Sequence, residues 1–288
     1  MILQETFTLA NGVEIPKIGL GTWMISDDSV GEAVEAALAL GYRHIDTAQA
    51  YENEAGVGRG VRASGLPREQ LFVTTKLAAE VKSHDEAVSA IDGSLKALGL
   101  DVIDLMLIHS PQPWMEFAGE DRFFEGNREA WRALEEAYEA GKLRAIGVSN
   151  FQKVDLENLL GSCRVKPMVN QVLAHIGKTP TELIDFARAQ GILTEAYSPI
   201  GHGVLLEHEA VGEMAAKYGV SIPQLSIRYA LQLGLLPLPK TANPAHMKDN
   251  AGVDFTISDE DMEALKGLPE IDDYGEANVF PVYGGKLG

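Results

Sequence analysis

Eight times along this chain a short apolar run gives way to a longer amphipathic segment, and that alternation limits the fold more than any single motif. Strand-like runs lie near 18–21, 43–46, 71–76, 103–108, 143–148, 167–171, 192–197 and 235–239. Helical patterns fill the gaps at 29–40, 53–63, 85–98, 126–140, 153–160, 180–190, 208–218 with 222–233, and 244–251. Glycine follows the helical pattern at Leu40-Gly41, Ala140-Gly141 and Gln190-Gly191, where a helix end needs a left-handed residue. Eight strands, each followed by a helix, predict an α/β fold closed as a parallel (β/α)8 TIM barrel. The 288 residues suit one such domain spanning 1–288, since roughly 250 is typical. A dinucleotide-binding open sheet is disfavoured, because no strand leads into G-x-G-x-x-G. The nearest run, Gly56-Val57-Gly58-Arg59-Gly60, falls inside a predicted helix and continues with Val61.

Ahead of the repeat, residues 5–16 contain Asn11-Gly12 between two alternating segments. That pair predicts a tight hairpin whose two turn residues both take positive φ, placed to plug one end of the barrel. Ser258-Asp259-Glu260-Asp261 reads as a helix N-terminus, where acidic residues complement the helix dipole. The stretch 268–288 is irregular and aromatic, with Tyr274, Phe280, Pro281 and Tyr283, and is expected to fold over the barrel mouth.

The charge balance excludes whole classes of partner. Formal net charge is −18, which argues against nucleic acid and anionic membrane. Any anionic ligand therefore needs a local basic pocket. Apolar stretches fall well short of the ~20 residues of a membrane helix, and no signal-peptide pattern opens the chain. One cysteine, Cys163, rules out an intrachain disulfide framework and points to a reducing compartment, the cytoplasm.

Four polar residues stand where successive strands end: Asp46, Tyr51, Lys76 and His109. Sites in such barrels are built at the C-terminal strand ends. A free phenol has a pKa near ~10, too high for easy proton donation at neutral pH. A neighbouring ammonium, Lys76, favours the phenolate and is expected to lower that value for Tyr51. Asp46 is placed to hold Lys76 charged and oriented. His109 is placed to hydrogen-bond a carbonyl or relay its proton. The constellation suits carbonyl reduction.

The second half supplies a matching pocket. Ser149 and Asn150 follow the fifth strand and Gln171 ends the sixth, giving groups that can fix a carboxamide. Tyr197 ends the seventh and offers a ring face for a flat heterocycle, with Ser198 beside it. Lys240-Thr241 precede the last helix of the repeat, a basic side chain beside a helix N-terminus and so an anion site.

Gly19-Leu20-Gly21-Thr22-Trp23, His44-Ile45-Asp46-Thr47-Ala48 with Tyr51, Lys76, Leu107-Ile108-His109, Gly147-Val148-Ser149-Asn150-Phe151, Gln171, Tyr197-Ser198-Pro199 and Pro239-Lys240-Thr241 together resemble the aldo-keto reductases. The likeness covers about residues 5 to 267, in family order. Ala48-Gln49 with Tyr51 and Asn53-Glu54 is most similar to the bacterial 2,5-diketo-D-gluconic acid and methylglyoxal reductases. The resemblance implies a barrel that binds NADPH without a Rossmann fold and reduces small aldehydes, α-dicarbonyls or keto-sugars. It implies Tyr51 as general acid, Lys76 and Asp46 as its tuning pair, and His109 as the group orienting the carbonyl. It assigns Gly21 and Thr22 to the cofactor, Ser149, Asn150 and Gln171 to its carboxamide, and Tyr197 to its ring. Ser198 falls to the diphosphate, Lys240 and Thr241 to the 2′-phosphate, and Asp249 and Asn250 to the adenine end. Trp23 walls the substrate pocket.

Three positions depart from the family pattern. His246 stands where an Arg usually grips the 2′-phosphate, which leaves NADH use open beside NADPH. Ser110 replaces the Trp after the catalytic His, implying a wider and more polar pocket. The loop 200–206, with His202, is too short for a long belt over the cofactor. Trp114, with Phe117, Phe123 and Phe124, is placed to reshape the pocket from the loop after the fourth strand. No metal is expected, because His84, His175 and His208 lack ligand spacing. A monomer acting on a small carbonyl is the leading reading, and a cofactor-sensing binding protein on the same barrel is the alternative.

Overall fold

A computed structural model describes residues 1–286. Strands β1 (Thr6–Thr8) and β2 (Glu14–Pro16) pair antiparallel. The barrel strands follow as β3 (Leu20–Gly21), β4 (His44–Asp46), β5 (Phe72–Leu77), β6 (Ile103–Ile108), β7 (Leu143–Ser149), β8 (Val169–Leu173), β9 (Leu193–Tyr197) and β10 (Leu236–Leu238). Neighbours pair in parallel in that order. The ring closes through Gly21, whose N–H donates to the Pro239 carbonyl at 3.0 Å and which bridges Lys240. Between the strands run α1 (Asp27–Ala39), α2 (Glu54–Ala63), α3 (His84–Leu98), α4 (Phe124–Glu139), α5 (Lys153–Leu160), α6 (Thr181–Ala189), α7 (Glu209–Tyr218), α8 (Ile222–Gln232) and α9 (Pro244–Asn250), with α10 (Asp259–Lys266) beyond the ring. No helix among the described residues is long and apolar enough to cross a membrane.

Every residue of β5 and β6 is buried, as a parallel barrel requires when helices cover one face and side chains fill the other. Each helix turns an apolar stripe to that wall; α1 buries Val30, Ala33, Val34, Ala37 and Leu38. The glycine run in α2 has a packing cause. A Cβ on Gly56 would lie 2.2 Å from the Asp27 carbonyl oxygen, and one on Gly58 would lie 2.0 Å from that of Leu98. These glycines let three helices touch backbone to backbone, so the run is a contact surface and not a phosphate loop.

The hairpin differs from the expected tight turn. Five residues link its strands, with the Leu9 N–H donating to the Val13 carbonyl, and only Gly12 takes positive φ, at +84°. Asn11 instead reaches outward, its side-chain amide donating to the Arg144 carbonyl at 2.9 Å. That contact seats the hairpin at the N-terminal end of the barrel, away from the loops that carry the site.

The seven non-glycine residues with positive φ among the described residues are Met24, Glu52, Ala118, Phe123, Asn150, Ser198 and His202. All lie in loops that follow barrel strands. Such conformations cost of order 1–3 kcal/mol each in sparsely populated regions and persist where surroundings impose them. The strain is confined to the C-terminal rim.

Candidate active site

Asp46 is the last residue of β4, and the turn after it brings Tyr51 back over the barrel. Asn53 fastens that turn: it accepts from the Thr47 hydroxyl at 2.6 Å and donates to the Thr22 and Ile25 carbonyls. Gln49 anchors its other side, accepting from the Ala78 N–H at 2.8 Å and donating to the Ala90 carbonyl at 2.9 Å. The phenol is thereby fixed by polar contacts and not by packing alone.

Lys76, fully buried near the end of β5, donates to Asp46 Oδ1 at 2.6 Å, the Thr47 carbonyl at 2.9 Å and the Tyr51 hydroxyl at 3.3 Å. Burial works against its charge, but Asp46 and Tyr51 outweigh that and hold the ammonium above the usual lysine value. Burial also raises the Tyr51 phenol; Lys76 pulls it down and Asp46 pushes it up. The net direction is upward, contrary to the lowering expected from Lys76 alone. The expectation omitted the cost of placing a phenolate in a dry cavity. A raised phenol keeps its proton at neutral pH, and Lys76 then stabilises the phenolate as it forms.

The His109 ring lies 5.6 Å from that of Tyr51 and 5.0 Å from that of Trp114, edge-on to both. Burial, aided by Lys76, drives its pKa well below the ordinary histidine range, so the imidazole is neutral. Its Nδ1 is buried without a partner. Placing the hydrogen on Nε2 leaves only a lone pair unsatisfied and gives a donor toward the cavity.

A cavity of about 270 Å³ joins most of the expected site. Gly21, Thr22, Trp23, Asp46, Tyr51, His109, Trp114, Ser149, Asn150, Gln171, Tyr197, Ser198 and Lys240 all line it. Lys76 lies behind the wall. A second cavity of about 390 Å³ shares Trp23, Ser198 and Lys240 and adds Thr241, His246, Asp249 and Asn250. The two run along one edge of the rim, from Tyr51 to α9. Among the described residues Lys240 makes no ion pair, which leaves its charge available at the junction.

Ser110 does not line the cavity. It is fully buried, its hydroxyl accepting from the Gln112 N–H and its carbonyl from Lys82. Trp114 supplies an aromatic wall beside His109, and Ser110 contributes no polar surface to the pocket. The short loop after β9 turns at His202, whose ring meets Trp23 and Tyr283 at 5.5 and 5.7 Å. Tail residues Phe280, Pro281, Val282 and Tyr283 line the same cavity, and the Tyr283 hydroxyl lies 2.6 Å from Ser198 Oγ. Leu287 and Gly288 of the expected tail lie outside the described residues.

The amides after the fifth and sixth strands are partly committed. Asn150 donates to the His109 carbonyl at 3.0 Å and accepts from the Tyr197 hydroxyl at 2.8 Å. Ser149 donates to the Gln171 carbonyl. Gln171 gives its amide hydrogens to Asp46 Oδ2 at 2.9 Å and Glu195 Oε2 at 2.7 Å, which leaves its own side-chain oxygen for a ligand. Glu195 went unnoticed in the sequence. Its signal was an acidic residue in the middle of Leu193-Thr194-Glu195-Ala196-Tyr197, where an apolar barrel strand has no use for one.

A sequence profile of the aldo/keto reductase family matches residues 17–270. The chain belongs to that family. It is 43% identical over 268 residues to a glyoxal reductase of Bacillus subtilis, covering 92% of this chain and 93% of the relative. It is 40% identical to a 9,11-endoperoxide prostaglandin H2 reductase of Trypanosoma cruzi, with 95% of each covered. Among solved structures, an aldo/keto reductase from Brucella melitensis superposes with a TM-score of 0.84 at 39% identity, covering 91% of this chain and 98% of that one. A Bombyx mori aldo-keto reductase in complex with NADP superposes at 0.85 with 33% identity, covering 97% of this chain and 98% of that one. This aldo/keto reductase therefore shares its whole barrel with them.

Proposed function

We propose that this aldo/keto reductase reduces small aldehydes, α-dicarbonyls or keto-sugars, using NADPH in preference to NADH. The observation that carries the reading is the line Asp46–Lys76–Tyr51, with the phenol 3.3 Å from a buried ammonium and a neutral imidazole beside it. The name of the Bacillus relative supports an α-dicarbonyl substrate. The residues fit the dinucleotide: Tyr197 and the free oxygen of Gln171 at one end, Ser198 along the lane, Lys240 and α9 at the other. When bound, the reduced nicotinamide supplies a hydride to the carbonyl carbon.

The protein's own groups handle the oxygen. His109 Nε2–H holds the substrate carbonyl, and Tyr51 gives that oxygen its proton. Lys76 stabilises the phenolate left behind, and Asp46 keeps Lys76 in line with it. Trp23, Trp114 and the tail exclude water. Preference for NADPH rests on Lys240; equal catalytic efficiency with NADH would overturn it. A monomer is favoured because the chain's own tail completes the cavity, and a cytoplasmic setting by the single cysteine. The cofactor-sensing alternative has no support from the relatives.

Replacement of Tyr51 by Phe tests the acid. Turnover of methylglyoxal should fall by at least about 10²-fold, the low end for general acid catalysis, while NADPH still quenches protein fluorescence. A variant that keeps most of its activity would refute the assignment.

A further inference from the structure

Glu195 is fully buried in the middle of β9, on the face that also carries Tyr197 one layer above, about 7 Å along the strand. Its polar surroundings are sparse. Oε2 accepts one hydrogen of the Gln171 amide at 2.7 Å, and Oε1 has no partner. Asp104, another fully buried acid of the barrel strands, is treated differently: Arg144 at 2.6 Å, Arg68 and the Val73 N–H at 2.8 Å all donate to it. A buried carboxyl with one neutral donor and one empty oxygen costs stability. Its single contact leads straight to the reacting groups. The Gln171 amide that touches Glu195 also holds Asp46 at 2.9 Å, Asp46 holds Lys76 at 2.6 Å, and Lys76 reaches Tyr51.

We propose that Glu195 is a positioning residue that fixes Gln171 with its oxygen toward the bound cofactor, and that it releases a proton to solvent when the nicotinamide bound above it is oxidised and cationic. Two acceptors, Asp46 Oδ2 and Glu195 Oε2, meet the Gln171 nitrogen, and a flipped amide would set its oxygen against the Asp46 carboxylate. Burial, reinforced by Asp46, pushes the Glu195 carboxyl up to about 8. It is mostly protonated beneath an empty or neutral site, and a cation above Tyr197 favours the ionised form.

The facing groups whose values shift are displaced away from that range. Lys76 on β5 lies above the usual lysine value and Tyr51 above the usual phenol value, while His109 lies well below the histidine range. Burial holds the Tyr197 phenol well up. Asp46 on β4 is the facing carboxylate, Gln171 on β8 is neutral, and the register partner on β10, Leu236, is apolar.

The test rests on the reading that the nicotinamide stacks on Tyr197, and it measures binding without turnover. Dissociation constants of NADP⁺ and NADPH are determined by calorimetry across about pH 6 to 9, with their ratio as the readout. The 2′-phosphate and His246 contribute alike to both nucleotides and cancel. In wild type NADP⁺ should gain roughly tenfold on NADPH as pH rises, the effect of unit charges about 10 Å apart at an effective dielectric near 20. Glu195→Gln keeps an acceptor for Gln171 and should bind both nucleotides with a pH-independent ratio. Glu195→Val, an ordinary barrel residue, should fold more stably yet bind both roughly tenfold more weakly, because Gln171 is released. A ratio that is flat in wild type, or equally sloped in Glu195→Gln, would overturn the coupling. Unweakened binding by Glu195→Val would overturn the positioning role. Binding of neither nucleotide to wild type would overturn the cofactor reading itself, a result distinct from all of these.

Discussion

Removing the ammonium from the centre of the site, Lys76→Met, isolates its electrostatic role, because the methionine keeps the buried stem. At 3.3 Å from the phenol oxygen, a unit charge at an effective dielectric near 20 favours phenolate by about 5 kcal/mol. Asp46, 2.6 Å from the same nitrogen, returns part of this. If it cancels half, about 2.5 kcal/mol remains, close to two powers of ten in rate. Lys76→Met should therefore lower the single-turnover rate of NADPH oxidation by methylglyoxal about 10²-fold, and at most about 10⁴-fold. Asp46→Asn should cost less, since it removes a charge that opposes the phenolate while the Thr47 carbonyl still holds Lys76 at 2.9 Å. Stopped-flow absorbance of the bound nucleotide measures both, with thermal unfolding alongside. Stranding Asp46 in the barrel should lower stability by about 3–5 kcal/mol, so the rate is read well below the new midpoint. A Lys76→Met rate within tenfold of wild type, or an Asp46→Asn loss exceeding that of Lys76→Met, would refute the reasoning.

The packing role of the α2 glycines predicts opposite signs for two Gly→Ala changes. Gly58→Ala puts a Cβ against the Leu98 backbone and should destabilise by about 3 kcal/mol, whereas exposed Gly93 in α3, with open space at its Cβ, should gain about 0.5–1 kcal/mol; urea unfolding decides both. Asp261 carries a pH dependence. Lys217, donating at 2.8 Å to both its oxygens, and Tyr218 hold its carboxyl below the ordinary aspartate value. A carboxyl depressed in the folded state contributes stability above the unfolded value near ~4 and loses it as pH falls through the folded one. Asp261→Asn should therefore lower the urea midpoint at neutral pH, and the gap should narrow as the pH falls below the unfolded value of about 4.

What could be read in the sequence was whatever repeats or stands out locally. The barrel follows from period and helix stops, and the rim constellation from polar residues that end apolar runs. The failures share one cause, which is that partners come from distant segments. Ser110 suggested an open pocket because the partner that ties it down away from the cavity, Lys82, lies 28 residues upstream. Asn11-Gly12 suggested a two-residue turn because the outlet for Asn11, the Arg144 carbonyl, lies on a strand 133 residues away. The direction of the Tyr51 shift was missed because burial, its largest cause, is a property of the closed cavity.

The two ends of the barrel divide their labour. Toward the N-terminal end, Asp104 is saturated with donors from three elements, and the hairpin covers the floor. Toward the other end, His109 Nδ1, Asn170 Oδ1 and Glu195 Oε1 are buried without partners, and the strained loop residues gather above them. Each unsatisfied group costs about 1–3 kcal/mol, a sum that a simple packing solution would avoid with valine and isoleucine. Costs of this kind beside Asp46, Tyr51 and Tyr197, where strained loop residues also gather, are a physical mark of a site. It follows that apolar replacement of an unpartnered group at this end, as in Glu195→Val, should raise stability while lowering binding, and that the same replacement at Asp104, whose donors would be stranded, should lower stability alone. A surface of net charge −18 does not enter that balance. Its field decays over about 8–10 Å in physiological salt, while Lys240 stands unpaired where the anionic end of a dinucleotide would arrive.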